Sequence, residues 1–508
     1  MPRQSILAIT GLLLAFVLLF LLSTASLAAP TIQGEGPLLA NSLTRQREVA
    51  VAKGSALPLF VGAPTDDLFA YSFDGTAWQQ IPFQIDEVNP ISNTYTITGD
   101  GTFDAIDELS FLAKDAGQQA PAGQWIADPD STLYPRYELQ VTDPLYVGQT
   151  AWVYLYRSPT LAPSFGQVYI DVNPNTVHTP YFDAQVDFQT TLGLTVLKLN
   201  GGANDLLDQS HISIKGKIGF FIPVQYCEQD LLSLIDPGTF GTGLPDIDRP
   251  VRYVSGLVTA PSAVVNPASL QTVLGPVNLT EIAAGINIPT VSLSELRISL
   301  DLLKPANTGF APARFYANTL SASGVAIDGA TDTVPTTLAS WTQINGSTGS
   351  IVQLNNVQAT GTTVYNYYLD NASATAADCH GTDGAYGESG VRIAPFSGEV
   401  TLDQRYYFTA VQTQGAGALY QSYAANPLQL TPANQMTCYF ADVQPDATHT
   451  NPALCDDDVD LLDILTVAAC WNQSIGAANC PASLDLNRDT VLDTADVTIA
   501  AELWKWQR

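Results

Sequence analysis

The chain has 508 residues, 14% of them charged and 46% hydrophobic, with 20 Lys plus Arg against 49 Asp plus Glu and a formal charge of −29. That balance excludes nucleic acid as a partner, because phosphates are repelled rather than neutralised. The apolar content excludes a disordered acidic tail and suffices for a large core, while 37 Gly and 32 Pro interrupt the chain too often for long helices.

Arg3 gives the N-terminus a positive start, Ile6 to Leu22 is almost wholly apolar, and Ser26-Leu27-Ala28-Ala29 offers small residues at a cleavage point. This is the pattern of a secretory signal over residues 1–28, and it implies a secreted or cell-surface protein. An uncleaved anchor is the other reading of a 17-residue apolar run. No later stretch approaches spanning length, so no transmembrane segment is expected in the mature chain.

Short segments of aromatic and β-branched residues then follow one another, each with Pro, Gly, Asn or Asp near an end. Leu68 to Phe73, the turn Asp74-Gly75-Thr76 and Trp78 to Asp86 read as a hairpin. Further strands are expected at Tyr137 to Val141, Ala151 to Tyr156, Gln167 to Val172, Ala184 to Phe188 and Leu194 to Leu199. Others follow at His211 to Lys217, Ile218 to Val224, Val251 to Val258, Leu296 to Leu302, Ser350 to Leu354, Thr363 to Leu369, Gly390 to Ile393 and Arg405 to Val411. The rhythm predicts a mainly β chain, a large β-sandwich body of one or two domains. Its regions are expected at 31–245 and 246–426. The nearly uncharged interval 255–289 reads as a loop-rich insertion or a short helix.

Pro427, Pro432 and Pro445 punctuate an expected linker over 427–449. Six cysteines, Cys227, Cys379, Cys438, Cys455, Cys470 and Cys480, allow 15 pairings, of which Cys438 to Cys455 would staple body to tail. No CxxC pair is present, which argues against a redox or zinc motif.

The tail, 450–508, repeats itself at an offset of 33 residues. Asp456, Asp460, Asp463 and Trp471 map onto Asp489, Asp493, Asp496 and Trp504, each acidic loop feeding an apolar-rich helix. In the second loop Asp485, Asn487, Asp489, Val491, Asp493 and Asp496 stand at positions 1, 3, 5, 7, 9 and 12. Calcium requires six to eight hard oxygens, and this spacing delivers them, with the carbonyl of Val491 at position 7. In the first loop Asp456, Asp460 and Asp463 keep positions 5, 9 and 12, whereas Pro452 and Leu454 offer no side-chain oxygen at 1 and 3. Asp457 and Asp458 can compensate only through a shortened loop.

The paired loops Asp-Leu-Asn-Arg-Asp-Thr-Val-Leu-Asp-Thr-Ala-Asp and Cys-Asp-Asp-Asp-Val-Asp-Leu-Leu-Asp resemble type I dockerin and dockerin-like repeats of secreted bacterial proteins. Asp457 and Thr490 stand where that family commonly has Gly. The resemblance implies a small α-helical, Ca2+-binding module, with a cohesin-like partner or docking onto the same chain. Because many members attach carbohydrate-active enzymes, it also implies a polysaccharide as substrate or ligand.

Asp100, Asp104 and Asp107 repeat the spacing of Asp489, Asp493 and Asp496 inside the body, with Gly101 at the sharp turn and Thr96 and Thr98 at the first positions. A third calcium loop is expected there. For catalysis, Asp86 and Glu87 are placed to join Asp104, Asp107 or Glu108 as a carboxylate pair. Asp378-Cys379-His380 is suggestive, but Cys379 in an exported chain reads better as half of a disulfide than as a nucleophile. His178, His211, His380 and His449 show no HExxH spacing, and neither a GxSxG elbow nor a phosphate-binding loop is present. The expected function is that of a calcium-binding exported protein in adhesion, scaffolding or carbohydrate binding. The alternative is a secreted glycoside hydrolase or lyase.

Overall fold

A computed structural model describes residues 42–502 apart from 97–98, 122–123, 129, 166–167, 174, 188–192, 220–221, 229, 231–246, 259–261, 286–290, 382, 411–414, 436–460, 474–479, 481–483 and 487–490. The signal segment, Cys438, Cys455, Asp456, Asp458, Asp460, Thr98, Asn487, Asp489 and Trp504 lie outside the described residues. The rest is a largely β-stranded fold of several packed antiparallel sheets, with helices Leu461–Ala469 and Thr494–Glu502 towards the C-terminus. Among the described residues no helix is long and apolar enough to cross a membrane.

The expected hairpin forms between Leu68–Phe73 and Trp78–Gln80. Asp74 sets its turn by accepting from the amides of Thr76 and Ala77, both at 2.8 Å, a local bond that short acidic side chains make readily. Two sheets position the candidate site. One has the strand order Ile222–Tyr226, Leu207–Ile218, Val291–Leu302, Ala385–Ala394 and Thr363–Asn371. The other has eight strands and includes Ser269–Asn278 and Glu399–Thr409.

Alternation along the five-stranded sheet puts Ile212, Ile214, Leu296, Val391 and Ile393 on one face. They pack into one cluster with Leu274, Val277, Val400 and Leu402 of the eight-stranded sheet. Each fully buried Val, Ile or Leu contributes about 1.5–3 kcal/mol, so this interface fixes which residues of the five-stranded sheet face the other way.

Strands from both sides of the expected 245/246 boundary share this sheet. The expected linker likewise opens as strand Gln429–Gln435, paired with Arg136–Thr142. The interval 255–289 is mostly strand, Ser262–Asn266 and Ser269–Asn278, followed by the helix Leu279–Gly285. Two disulfides are described, Cys227–Cys379 across 152 residues and Cys470–Cys480 across 10.

Four tryptophans of the body are partly buried against clusters of the core. Trp78, Trp125 and Trp152 pack around Tyr154 and Tyr156, and Trp341 packs against Val352, Leu354 and Tyr407.

Asp86 and Glu108, two of the carboxylates placed above for a catalytic pair, are both bound to one buried cation. Arg252 Nε donates to Asp86 Oδ2 at 2.7 Å and Nη2 to Glu108 Oε2 at 2.6 Å. Removing one partner of such a group leaves buried charge uncompensated. Arg252→Ala is expected to lower unfolding free energy by about 3–5 kcal/mol, measured by chemical denaturation at neutral pH.

Candidate metal centre

The second face of the five-stranded sheet is polar, yet it is buried. His211 and Ser213 on Leu207–Ile218, Arg297, Ser299 and Asp301 on Val291–Leu302, and Glu388 on Ala385–Ala394 are all almost fully enclosed. The register places His211 opposite Ser299 and Ser213 opposite Arg297. A buried stripe of charged and polar side chains requires internal partners, and most of them can be traced.

Glu388 accepts from Ser299 Oγ at 2.5 Å and from His380 Nδ1 at 2.6 Å, with Arg297 Nε 3.6 Å away. Burial alone would raise its pKa, but the His380 hydrogen bond and Arg297 outweigh burial and hold the carboxylate low. Arg297 also donates to Tyr367 Oη at 3.0 Å and to the Cys379 carbonyl. His211 Nδ1 donates to Glu228 Oε1 at 3.2 Å, and Gln209 Nε2 donates to the same oxygen at 2.7 Å. Asp301 Oδ1 accepts from the Tyr386 amide at 2.9 Å.

Ser213 Oγ, Glu228 Oε2 and Arg297 Nε are left without a hydrogen-bond partner, and so are two atoms able to ligate a metal. His211 Nε2 and Asp301 Oδ2 are buried without a hydrogen-bond partner and face each other at 3.9 Å. Asp208 stands beside them, and ligand atoms of Asp208, His211 and Asp301 all lie within 4.8 Å of one another. Strict alternation would put Asp208 and His211 on opposite faces. The ladder between Leu207 and Gln209 is irregular, however, and so is that between Leu300 and Leu302. Asp208 and Asp301 each sit at such a break, where strands re-aim side chains.

Gly381 closes the centre from above. A Cβ built on it would lie 2.0 Å from Asp208 Oδ2 and 2.9 Å from Asp301 Oδ2. Only a residue without a side chain leaves this cradle open.

The cluster can coordinate a metal ion. One imidazole nitrogen and two carboxylates form a mixed N/O set of the kind zinc-class ions take with three protein ligands, whereas calcium prefers oxygen alone. Glu228 bonded to the far nitrogen of His211 fixes the tautomer whose Nε2 lone pair points inward. Burial, and next the charge of Glu388, push Asp301 up to about 8. Burial alone would lower His211, but the Glu228 hydrogen bond and the surrounding carboxylates outweigh it and raise the pKa.

The residues expected from sequence fall elsewhere. Asp100, Asp104 and Asp107 do come together, around a cavity of about 250 Å³ also lined by Glu87, Thr96 and Gly99. Asp107 accepts from the amides of Val88 at 2.8 Å and Asp104 at 2.6 Å. Burial pushes its pKa up to about 6.

In the tail Asp463 and Asp496 are both fully buried, and each lies in the first turn of its helix. Asp496 accepts from the Leu486 amide at 2.7 Å and the Asp493 amide at 2.9 Å, which joins the two ends of the loop beginning at Asp485. Val467, Cys470, Leu484, Leu486, Leu492 and Ala500 form the core between the helices. Trp471 is half exposed, while the Cys470–Cys480 bridge lies in that core. Val491, whose carbonyl was assigned position 7, is exposed.

Cys379 is half of a disulfide, as its setting in the sequence implies. Sequence reasoning missed Asp208, His211 and Asp301 as a set. Their only shared signal is polarity at positions of strands whose neighbours are Ile and Leu.

No protein-family model matches the chain, and no curated protein matches it. Among solved structures it is similar to a protein in glycosyl hydrolase family 38 from Enterococcus faecalis, with 9% identity, a TM-score of 0.32 and 77% of this chain covered. The chain spans 47% of that structure, and a likeness of this degree carries no argument about activity.

Gly381→Ala is expected to displace Asp208 and lower affinity for a divalent transition metal at least tenfold, while stability changes by less than about 1 kcal/mol. Competition with a chromophoric chelator measures the first and chemical denaturation the second.

Proposed function

We propose that this chain is an exported, metal-dependent enzyme acting on polysaccharide, a glycoside hydrolase or lyase, with its reaction centre at Asp208, His211, Asp301 and Glu388. The observation that carries this reading is the pair of buried atoms without a hydrogen bond, His211 Nε2 and Asp301 Oδ2, facing one another at 3.9 Å beside Asp208. A zinc-class ion bound there supplies Lewis acidity. The chain's own groups do the rest. Glu228 orients His211, Arg297 and His380 keep Glu388 ionised as the proton acceptor, and the partly exposed Asp208 and His380 form the outward side. The polysaccharide assignment draws on the dockerin-like resemblance of 450–508.

The same reading includes a C-terminal calcium module, with Asp485, Asn487, Asp489, Val491, Asp493 and Asp496 as one ligand set and Asp456, Asp458, Asp460 and Asp463 as its partial copy. A cohesin-like protein, or the body of the same chain, is its partner. A second reading, a β-sandwich protein for calcium-dependent adhesion or scaffolding, is favoured by the acidic cavity of Glu87, Asp100, Asp104 and Asp107.

Three measurements test these readings. Elemental analysis of the mature chain is expected to give one zinc-class ion that His211→Ala loses, and reducing-sugar release from a polysaccharide panel is expected to stop on chelation. Stoichiometric metal without cleavage of any polysaccharide would contradict the enzyme reading and leave the adhesion reading. Calcium calorimetry is expected to show tail binding that Asp485→Ala abolishes at one site, and loss of no heat would sink the calcium loop.

A further inference from the structure

The walls of the candidate centre are of two kinds. His211 and Asp301 belong to adjacent strands of a sheet whose other face is packed core, so they stay in place whatever happens above them. Glu228 lies two residues beyond the sheet's edge strand Ile222–Tyr226, and Gly381 lies in the connection between Thr363–Asn371 and Ala385–Ala394. Each is tethered through a cysteine: Glu228 follows Cys227 directly, and Cys379 is followed by His380 and Gly381. The Cys227–Cys379 bond joins these segments across 152 residues of chain.

We propose that this disulfide governs metal retention at the centre: closed, it holds Glu228 and Gly381 where the ion needs them, and opened, it lets the ion go. The inference rests on the reading of Asp208, His211 and Asp301 as a metal site, and adds its control.

Three observations support it. First, everything the two segments contribute converges on the polar stripe. Glu228 accepts from His211, the Cys379 carbonyl accepts from Arg297, His380 donates to Glu388, and the Gly381 backbone closes over Asp208 and Asp301. Second, Cys379 lies in the left-handed region at φ 59°, a conformation that costs a non-glycine residue energy and persists where surroundings impose it. Cys379 ends the 3-10 turn Ala376–Asp378, its amide donating to the Ala376 carbonyl at 3.1 Å, and the bond to Cys227 joins that turn in holding it. Third, a further link between the segments, Gln225 Nε2 donating to the Asp378 carbonyl at 2.9 Å, is solvent-exposed and weak by comparison.

The step is a two-electron reduction. Two thiols of a reductant deliver two electrons and two protons, the S–S bond breaks, Cys227 and Cys379 become thiols, and the reductant leaves as its own disulfide. Oxidation by a disulfide-bearing oxidant reverses it. The consequence for an exported chain is order of events: the centre retains its ion only after the chain has reached an oxidising compartment.

The test uses the full mature chain and Zn2+ alone as probe. Affinity is measured by chelator competition for wild type, for Cys227→Ser/Cys379→Ser, and for Glu228→Gln with the bridge intact, with near-UV circular dichroism reporting the fold. The double variant and Glu228→Gln are each expected to bind at least about tenfold more weakly. Wild-type affinity in the double variant would overturn the control while leaving the metal site standing, and absence of Zn2+ binding in oxidised wild type would overturn both.

A second measurement needs no variant. Zn2+-loaded wild type is treated with a water-soluble phosphine, which takes oxygen from water as the bridge opens, and alkylation with mass spectrometry follows the Cys227 and Cys379 thiols. Release of the ion in step with those thiols is expected. Thiols appearing while the ion stays bound would overturn the proposal.

Discussion

An imidazole nitrogen and a carboxylate oxygen, buried 3.9 Å apart with nothing bonded to either, are the constraint around which the centre of this molecule is arranged. Each unsatisfied buried polar group costs about 1–3 kcal/mol, and a folded chain seldom keeps two in contact unless a ligand answers them. The neighbouring groups are ordered by the same demand. Glu228 occupies the outer nitrogen of His211, Tyr386 the other oxygen of Asp301, and His380 with Arg297 the charge of Glu388.

This arrangement depends on a sheet that is buried on both faces for different reasons. One face carries Ile212, Ile214, Leu296, Val391 and Ile393 into the shared core, where burial of apolar area fixes register. Because the side-chain period is two, the intervening positions are committed to the opposite face. There no apolar layer follows, but two segments joined by sulfur. A slip of one residue would put His211 and Asp301 into the hydrophobic core and isoleucines under the disulfide, so core packing and site geometry specify the same register.

The strands were legible because each is short, alternates, and is bounded by turn residues. Leu68–Phe73, Ala151 to Tyr156 and Leu296 to Leu302 all lie in strands. Proline misled once. Pro432 suggested a linker, but Gln429–Gln435 lies at a sheet edge, where a missing amide is tolerated. The interval 255–289, read as a loop-rich insertion or a short helix, carries the helix Leu279–Gly285 after two strands, and Pro276 stands at the irregularity between Leu274 and Val277, where the ladder already breaks. The centre was not legible at all. Asp208 and His211 have the wrong spacing for one strand face until a bulge corrects it, and Asp301 joins them only through strand pairing. The tail was the reverse case: its acidic spacing is local, so the sequence displays it without help from tertiary structure.

The central claim is that a metal ion sits among Asp208, His211 and Asp301. Crystals of the full mature chain grown with Zn2+, with diffraction recorded on both sides of the zinc absorption edge, test it most directly. An anomalous peak is expected about 2.0–2.2 Å from His211 Nε2 and Asp301 Oδ2, present above the edge and lost below it. A peak only at the acidic loops, or water-filled density between His211 and Asp301, would contradict it.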